Sequence, residues 1–290
     1  MWQMTPVFAM QEVRTEGDAL GIARQQGVRA RDHRRRAILT RTVQLDVIPR
    51  LVAARGAVGT MAAVSAPLAV APAHVAELVQ LVLARGEPAA IAYVEAMRER
   101  GAGAEAIYLD LLAPAARRLG VMWEEDTCDF TEVTVGLWRL QSAMRELSPS
   151  FLDQRSQRTD VHRILLVPLP GESHTFGLSM VYEFFRRAGW NAWSGPVRDS
   201  AELIAMVRRE RVDVVGFSLS CDERLESVYS EMRAVRRASL NPGIAVMVGG
   251  PPFAGNPLLA AQLGADGTAT DGRQAVAQAQ ALVEDSRARG

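Results

Sequence analysis

The chain has 290 residues, 48% of them hydrophobic, with 33 basic side chains balanced by 33 acidic ones. That is length for two ordinary domains and apolar content for a sizeable core, which excludes global disorder, while the balanced charge excludes an overall polyanion-binding character and leaves only local clusters open. Two distant cysteines without a CxxC, no apolar run of about 18 residues and an N-terminus without a basic n-region argue against a zinc or disulfide framework, a membrane span and a secretory leader, so a reduced cytoplasmic protein is expected.

Residues 1–60 read as an N-terminal helical arm. Ile38, Leu39, Val43, Val47, Leu51 and Val52 mark one helical face. Arg29, Arg31, His33, Arg34, Arg35 and Arg36 form a basic cluster that suits DNA or an acidic partner, or is simply a solvated face. GIARQQGVRARDHRRR has a faint helix-turn-helix look, in a stretch too short for a complete winged-helix module. The small, Ala-rich residues after Arg55, broken by Pro and Gly, place a linker at 61–72.

Residues 73–147 read as an all-α bundle of four helices. Val75, Leu78, Val79, Val82 and Leu83 follow helical spacing; Gly86 ends that helix and Pro88 starts the next, where a missing N–H costs nothing. Ile91, Val94 and Met97 line the second helix. Ile107, Leu111, Leu112, Ala115 and Leu119 line the third, with a kink expected at Pro114. Asp129-Phe-Thr-Glu132 is a capping-box signature for the fourth. The polar residues 148–160 read as a second linker.

Residues 161–290 alternate strand and helix. Strands are predicted at Ile164–Val167, Asn191–Ser194, Val212–Ser218, Ala245–Val248 and Ala265–Ala269. Helices are predicted at Phe176–Ala188, Ala201–Arg209, Asp222–Ala238, Pro257–Leu263 and Arg273–Ser286. Five such units imply an α/β, flavodoxin-like, five-stranded doubly wound parallel sheet with its strand-to-helix loops on one edge. Those loops gather Ser173, Thr175, Ser218, Ser220, Gly249, Gly250, Thr268 and Thr270, a neutral slot without a Walker lysine or a GxGxxG. It suits a long, mostly neutral ligand tail better than a nucleotide. The loop after the first strand, Pro170-Gly-Glu172-Ser-His174-Thr-Phe-Gly177, also carries an imidazole. His174 is a metal ligand with Glu172 holding its second nitrogen, or an exposed loop histidine with no ligand.

These residues resemble a known family. Glu172-Ser-His174-Thr-Phe-Gly177 resembles the Asp-x-His-x-x-Gly motif of cobalamin-binding domains, with Glu in place of Asp. Val214-Val-Gly-Phe-Ser218-Leu219-Ser220 resembles their Ser-x-Leu strand end, with serine at the third place, and Val248-Gly249-Gly250 their Gly-Gly. The bundle resembles the helical cap over the corrin in methionine synthase, methyl-carrier corrinoid proteins and the CarH/LitR photoreceptors, through Leu119-Gly-Val-Met-Trp123. The resemblance implies cobalamin, as hydroxocobalamin or adenosylcobalamin, with His174 as the lower axial ligand of cobalt. By the same resemblance Gly177, Ser218, Gly249 and Gly250 would lie along the tail; Glu172, Ser173, Thr175, Leu219, Ser220, Thr268, Thr270 and Asp271 are expected beside them as cofactor contacts. Trp123, Val133 and Thr134 would face it from the cap, although Trp123 also reads as a core aromatic. Val133-Thr134 stand where CarH-type sensors carry Glu-His, so the upper histidine and adenosylcobalamin photochemistry of those sensors do not carry over.

The arm, cap and cobalamin-type sheet together are similar to the AerR/PpaA regulators of photosynthesis genes, antirepressors that act on repressors of the CrtJ/PpsR type. The resemblance implies a non-enzymatic, light- or redox-responsive regulator; the candidates this sequence offers for the upper ligand are His33 first, then His74 or water. A corrinoid methyl carrier for a methyltransferase and a direct DNA-binding transcription factor using the Arg29–Arg36 cluster are the alternatives. No catalytic constellation independent of the cofactor is motivated by spacing.

Overall fold

The computed structural model describes residues 68–153, 162–254 and 256–289. The arm at 1–60, its Arg29–Arg36 cluster and His33 lie outside the described residues.

The cap opens with α1 (Pro72–Ala84), whose first turn is closed by Ala71 N donating to His74 Nδ1 at 3.0 Å. Gly86, in the left-handed region at φ +88°, turns the chain into α2 (Glu87–Glu99). The third segment is composite: α3 (Ala104–Ala106), a π-helical stretch Ile107–Leu112, then α4 (Ala113–Glu124). The expected kink at Pro114 thus takes the form of widened turns, with Ala113 N bonded to Tyr108 O five residues back. Proline has no N–H for the carbonyl four residues back and its ring crowds that carbonyl, which a widened turn accommodates. The predicted capping box starts α5 (Phe130–Leu152): Asp129 Oδ1 accepts from Glu132 N at 2.7 Å, and Glu132 Oε2 accepts from Asp129 N at 2.9 Å.

α5 continues to Leu152, through the start of the predicted 148–160 linker and through Pro149. Tertiary packing overrides the polar composition there. Phe151 is buried, stacked on Tyr108 with centroids 4.2 Å apart and edge-on to Phe184 at 5.0 Å. Ser148 Oγ donates to Glu183 at 2.5 Å.

The second domain runs β1 (Arg163–Pro168), α6 (Phe176–Arg187), β2 (Asn191–Ser194), α7 (Ser200–Arg209), β3 (Val214–Ser218), α8 (Leu225–Ala238), β4 (Ala245–Gly249), the short α9 (Pro251–Ala254), α10 (Pro257–Gln262), β5 (Gly267–Ala269) and α11 (Gly272–Arg289). All strand pairs are parallel, in the order β2-β1-β3-β4-β5. Each predicted strand forms, and among the described residues of this domain α9 is the one helix without a predicted counterpart. This order reverses between β1 and β3, and the crevice outside their carboxyl ends is where such sheets hold ligands.

Strand alternation sorts the side chains into two layers. Leu165, Val167, Val215, Phe217, Val246 and Val248 pack with Leu203, Val207, Val228 and Met232 of α7 and α8. Ile164, Leu166, Val214, Ala245 and Met247 pack with Leu178 and Phe185 of α6 and with Ala275, Ala279 and Val283 of α11. At the carboxyl edge, Pro168, Ser218, Gly249 and Ala269 lie in one row and face the second layer. Large side chains at the amino end of that face therefore give way to small ones at the carboxyl end.

Candidate functional site

β1 leaves the sheet at Pro168, with Leu169 N still bonded to Ser218 O at 3.1 Å. The chain then turns sharply: Gly171 sits at φ +82°, Glu172 N donates to Leu169 O at 2.8 Å, and the Arg224 guanidinium donates to Pro170 O. This turn drives the Glu172 side chain inward, to 3% exposure, and leaves the His174 side chain 67% exposed.

The buried carboxylate is saturated. Oε1 accepts from His174 N at 2.9 Å and lies 2.6 Å from His174 Nδ1; Oε2 accepts from Ser220 N at 3.0 Å and Ser220 Oγ at 2.6 Å. Burial pushes the Glu172 carboxyl up. The Ser220 hydroxyl, the His174 amide and ring, and the Ser220 amide outweigh it and hold the group down at about 2. An ionised carboxylate only accepts, so the proton of the neutral imidazole sits on Nδ1 and the Nε2 lone pair is left for a metal. The carboxylate spans both loops of the β1–β3 crevice.

A bare ion would find too few ligands here. Among the described residues no group of three or more His, Cys, Asp and Glu side chains is placed to hold a metal. A single carboxylate-braced imidazole fits a metal that brings its other ligands in a macrocycle. At the carboxyl edge of the sheet, Ser218, Gly249 and Ala269 offer the row of small residues, and a Cβ built on Gly177 meets nothing within 4 Å. Gly250 has a different reason to be glycine: at φ +113°, an added Cβ would stand 1.9 Å from Leu219 O. The β3 and β4 loops are packed backbone to backbone, with Leu219 N donating to Gly249 O at 3.0 Å.

Several residues of the predicted slot have partners or places of their own in the fold. Leu219 is buried in the opposite layer with α7 and α8. Thr268 pairs with Val248 and so faces that same opposite layer. Ser220 braces Glu172 through its amide and its hydroxyl. Thr270 is tied to Gln274 Oε1 through its amide at 2.7 Å and its hydroxyl at 2.9 Å, and Asp271 Oδ1 caps α11 through Gln274 N at 2.8 Å. Ser173 is exposed, and Thr175 is the N-cap position of α6.

In the cap, Trp123 is 50% exposed, which overturns its reading as a core aromatic. Phe130, the first residue of α5 across the turn from Trp123, is also exposed. Val133 packs partly into the cap core, and Thr134 Oγ1 donates to Phe130 O at 2.7 Å. His74 spends Nδ1 on closing the first turn of α1. Sequence reasoning missed Arg224, which pins the Pro170 turn, and the Gln141–Ser179 pair described below. The partners lie 54 and 38 positions apart, and no local pattern announces them.

Known proteins share this architecture. Two family models, each described as a B12 binding domain, match residues 162–279 and residues 75–148. A Rhodobacter capsulatus relative, an uncharacterized 20.5 kDa protein in the bchF-crtJ intergenic region, is 26% identical over 153 residues, spanning 52% of this chain and 79% of that protein. The Methanosarcina barkeri monomethylamine corrinoid protein has the same fold, with a TM-score of 0.61 at 15% identity over 72% of this chain and 96% of that one.

Proposed function

From the premise that the chain belongs to the cobalamin-binding proteins with a helical cap, of the AerR/PpaA type, we infer that it is a regulator that signals through its bound cofactor and has no turnover of its own. The observation that carries the ligand assignment is the His174 imidazole, braced on Nδ1 by a buried, ionised Glu172 and open at Nε2. His174 would hold the cobalt from below, and the small row Ser218, Gly249 and Ala269 would admit the displaced tail beside α6. When bound, cobalamin would supply a cobalt centre able to answer light, oxidation state or exchangeable ligands. The chain's own part is to fix the lower nitrogen, to cover the upper face with Trp123 and its neighbours, and to pass a change in cap position to a partner.

The regulatory reading is supported by the relative's place beside crtJ, since a CrtJ/PpsR-type repressor is the partner the AerR/PpaA resemblance implies. It is tested by adding the cobalamin-loaded protein to that repressor bound at its operator DNA. Release of the repressor by loaded wild type, and not by the His174→Ala variant, is expected. A repressor indifferent to both contradicts the reading. The methyl-carrier reading draws on the shared fold with a corrinoid protein. It predicts instead that the cobalt(I) form accepts a methyl group from a partner methyltransferase.

A further inference from the structure

One helix belongs to both cores. Phe176, Met180 and Phe184 of α6 pack into the cap core, while Leu178 and Phe185 of the same helix pack against the sheet. The helix begins two residues after His174. Along its cap side a hydrogen-bond chain leads back to the histidine loop. Gln141 Nε2 of α5 donates to Ser179 Oγ at 3.3 Å, and that hydroxyl donates to Thr175 O at 3.0 Å. The same carbonyl accepts Ser179 N at 2.9 Å, and Thr175 directly follows His174. Both Gln141 and Ser179 are half-buried, so the amide has a protein partner across the domain boundary where a surface glutamine would have water.

We propose that Gln141 and Ser179 are positioning residues for His174, through which the seating of the cap sets how firmly the imidazole is presented to the cobalt. The inference rests on His174 being the lower ligand. Other contacts hold the cap without touching this chain. Glu105 pairs with Arg187 at 2.9 Å and with Arg273, and Ser148 bonds Glu183, all toward the far end of α6 or on α11. Those contacts supply the comparison that separates positioning of the histidine from adhesion of the cap.

The full chain is loaded with hydroxocobalamin, and two quantities are read: the fraction of cobalt carrying protein imidazole, from the visible spectrum, and the dissociation rate. The His174→Ala variant provides the spectrum of the unligated form. Losing one neutral hydrogen bond moves an equilibrium by about threefold to tenfold. Gln141→Ala and Ser179→Ala are expected to shift ligation toward the His174→Ala spectrum by that factor. Ser179→Thr, which keeps the hydroxyl, and Glu105→Gln are expected to retain the wild-type spectrum. Near-ultraviolet circular dichroism verifies that each variant is folded, and Gln141→Leu serves if Gln141→Ala is not. A wild-type spectrum and dissociation rate in both Gln141→Ala and Ser179→Ala overturns the proposal. So does a shift in Glu105→Gln as large as that in Gln141→Ala. If wild type and His174→Ala give the same spectrum, the ligand assignment itself falls, and the positioning role with it.

Discussion

The loop after β1 and the α4–α5 turn of the cap are built from opposite materials. In the first, a buried carboxylate takes four hydrogen bonds and fixes one ring nitrogen of His174, so a single donor atom is presented in a set tautomer. In the second, Trp123 and Phe130 stand exposed, and the polar contacts nearby serve the helix itself: Asp129 and Glu132 cap α5, and the Thr134 hydroxyl bonds back to the Phe130 carbonyl one turn earlier. The loop is preorganised before any ligand arrives, and preorganisation is what makes one metal–nitrogen bond worth having. The turn offers apolar area without a braced donor, which suits covering a ligand and releasing it. Recognition is therefore expected to reside in the loop, and adjustability in the cap.

That contrast can be broken by substitution. The largest effect is expected from His174→Ala, with hydroxocobalamin affinity lower by more than roughly 100-fold in equilibrium binding, since a lost ligand should cost at least as much as a lost outer partner. Glu172→Gln leaves the ring unanchored, and an affinity loss of about 10- to 100-fold is expected by the same measurement. The pH dependence sharpens the point. Glu172 is depressed from 4.5 to about 2, because the Ser220 and His174 hydrogen bonds outweigh its burial. A carboxyl lowered on folding stabilises the fold fully above pH 4.5 and loses that contribution as pH falls toward 2. Urea midpoints of wild type and Glu172→Gln should therefore differ most at neutral pH and converge across that window. The smallest effect is expected from Trp123→Ala: about threefold weaker retention of the cofactor, with an unchanged urea midpoint because the ring is already half in water. A Trp123→Ala loss as large as that of His174→Ala would reverse the division of labour.

Much of this was legible in the residues. Apolar runs bounded by turns gave the strands, and Asp129-Phe-Thr-Glu132 located the start of α5 because a capping box is a local interaction. Glu172 beside His174 was visible for the same reason. What the sequence hid depends on distant partners. Ser148-Pro149 reads as a linker until Phe151 is seen wedged between Tyr108 and Phe184. Leu219 and Thr268 look like slot residues until strand parity assigns them to the opposite layer, because a one-residue step along a strand exchanges faces. That Ser220 braces Glu172 is hidden as well, since the two are 48 positions apart.

If the imidazole of His174 binds the cobalt from beneath, its nitrogen must be magnetically coupled to the metal. The most direct test is electron paramagnetic resonance of the cobalamin-loaded full chain reduced to cobalt(II), prepared once with ordinary histidine and once with nitrogen-15 histidine. Axial ligation by a protein imidazole predicts that the nitrogen splitting of the cobalt lines changes from a triplet to a doublet on labelling, and that it vanishes in His174→Ala. A triplet that survives the label, or a splitting that persists in His174→Ala, would contradict it.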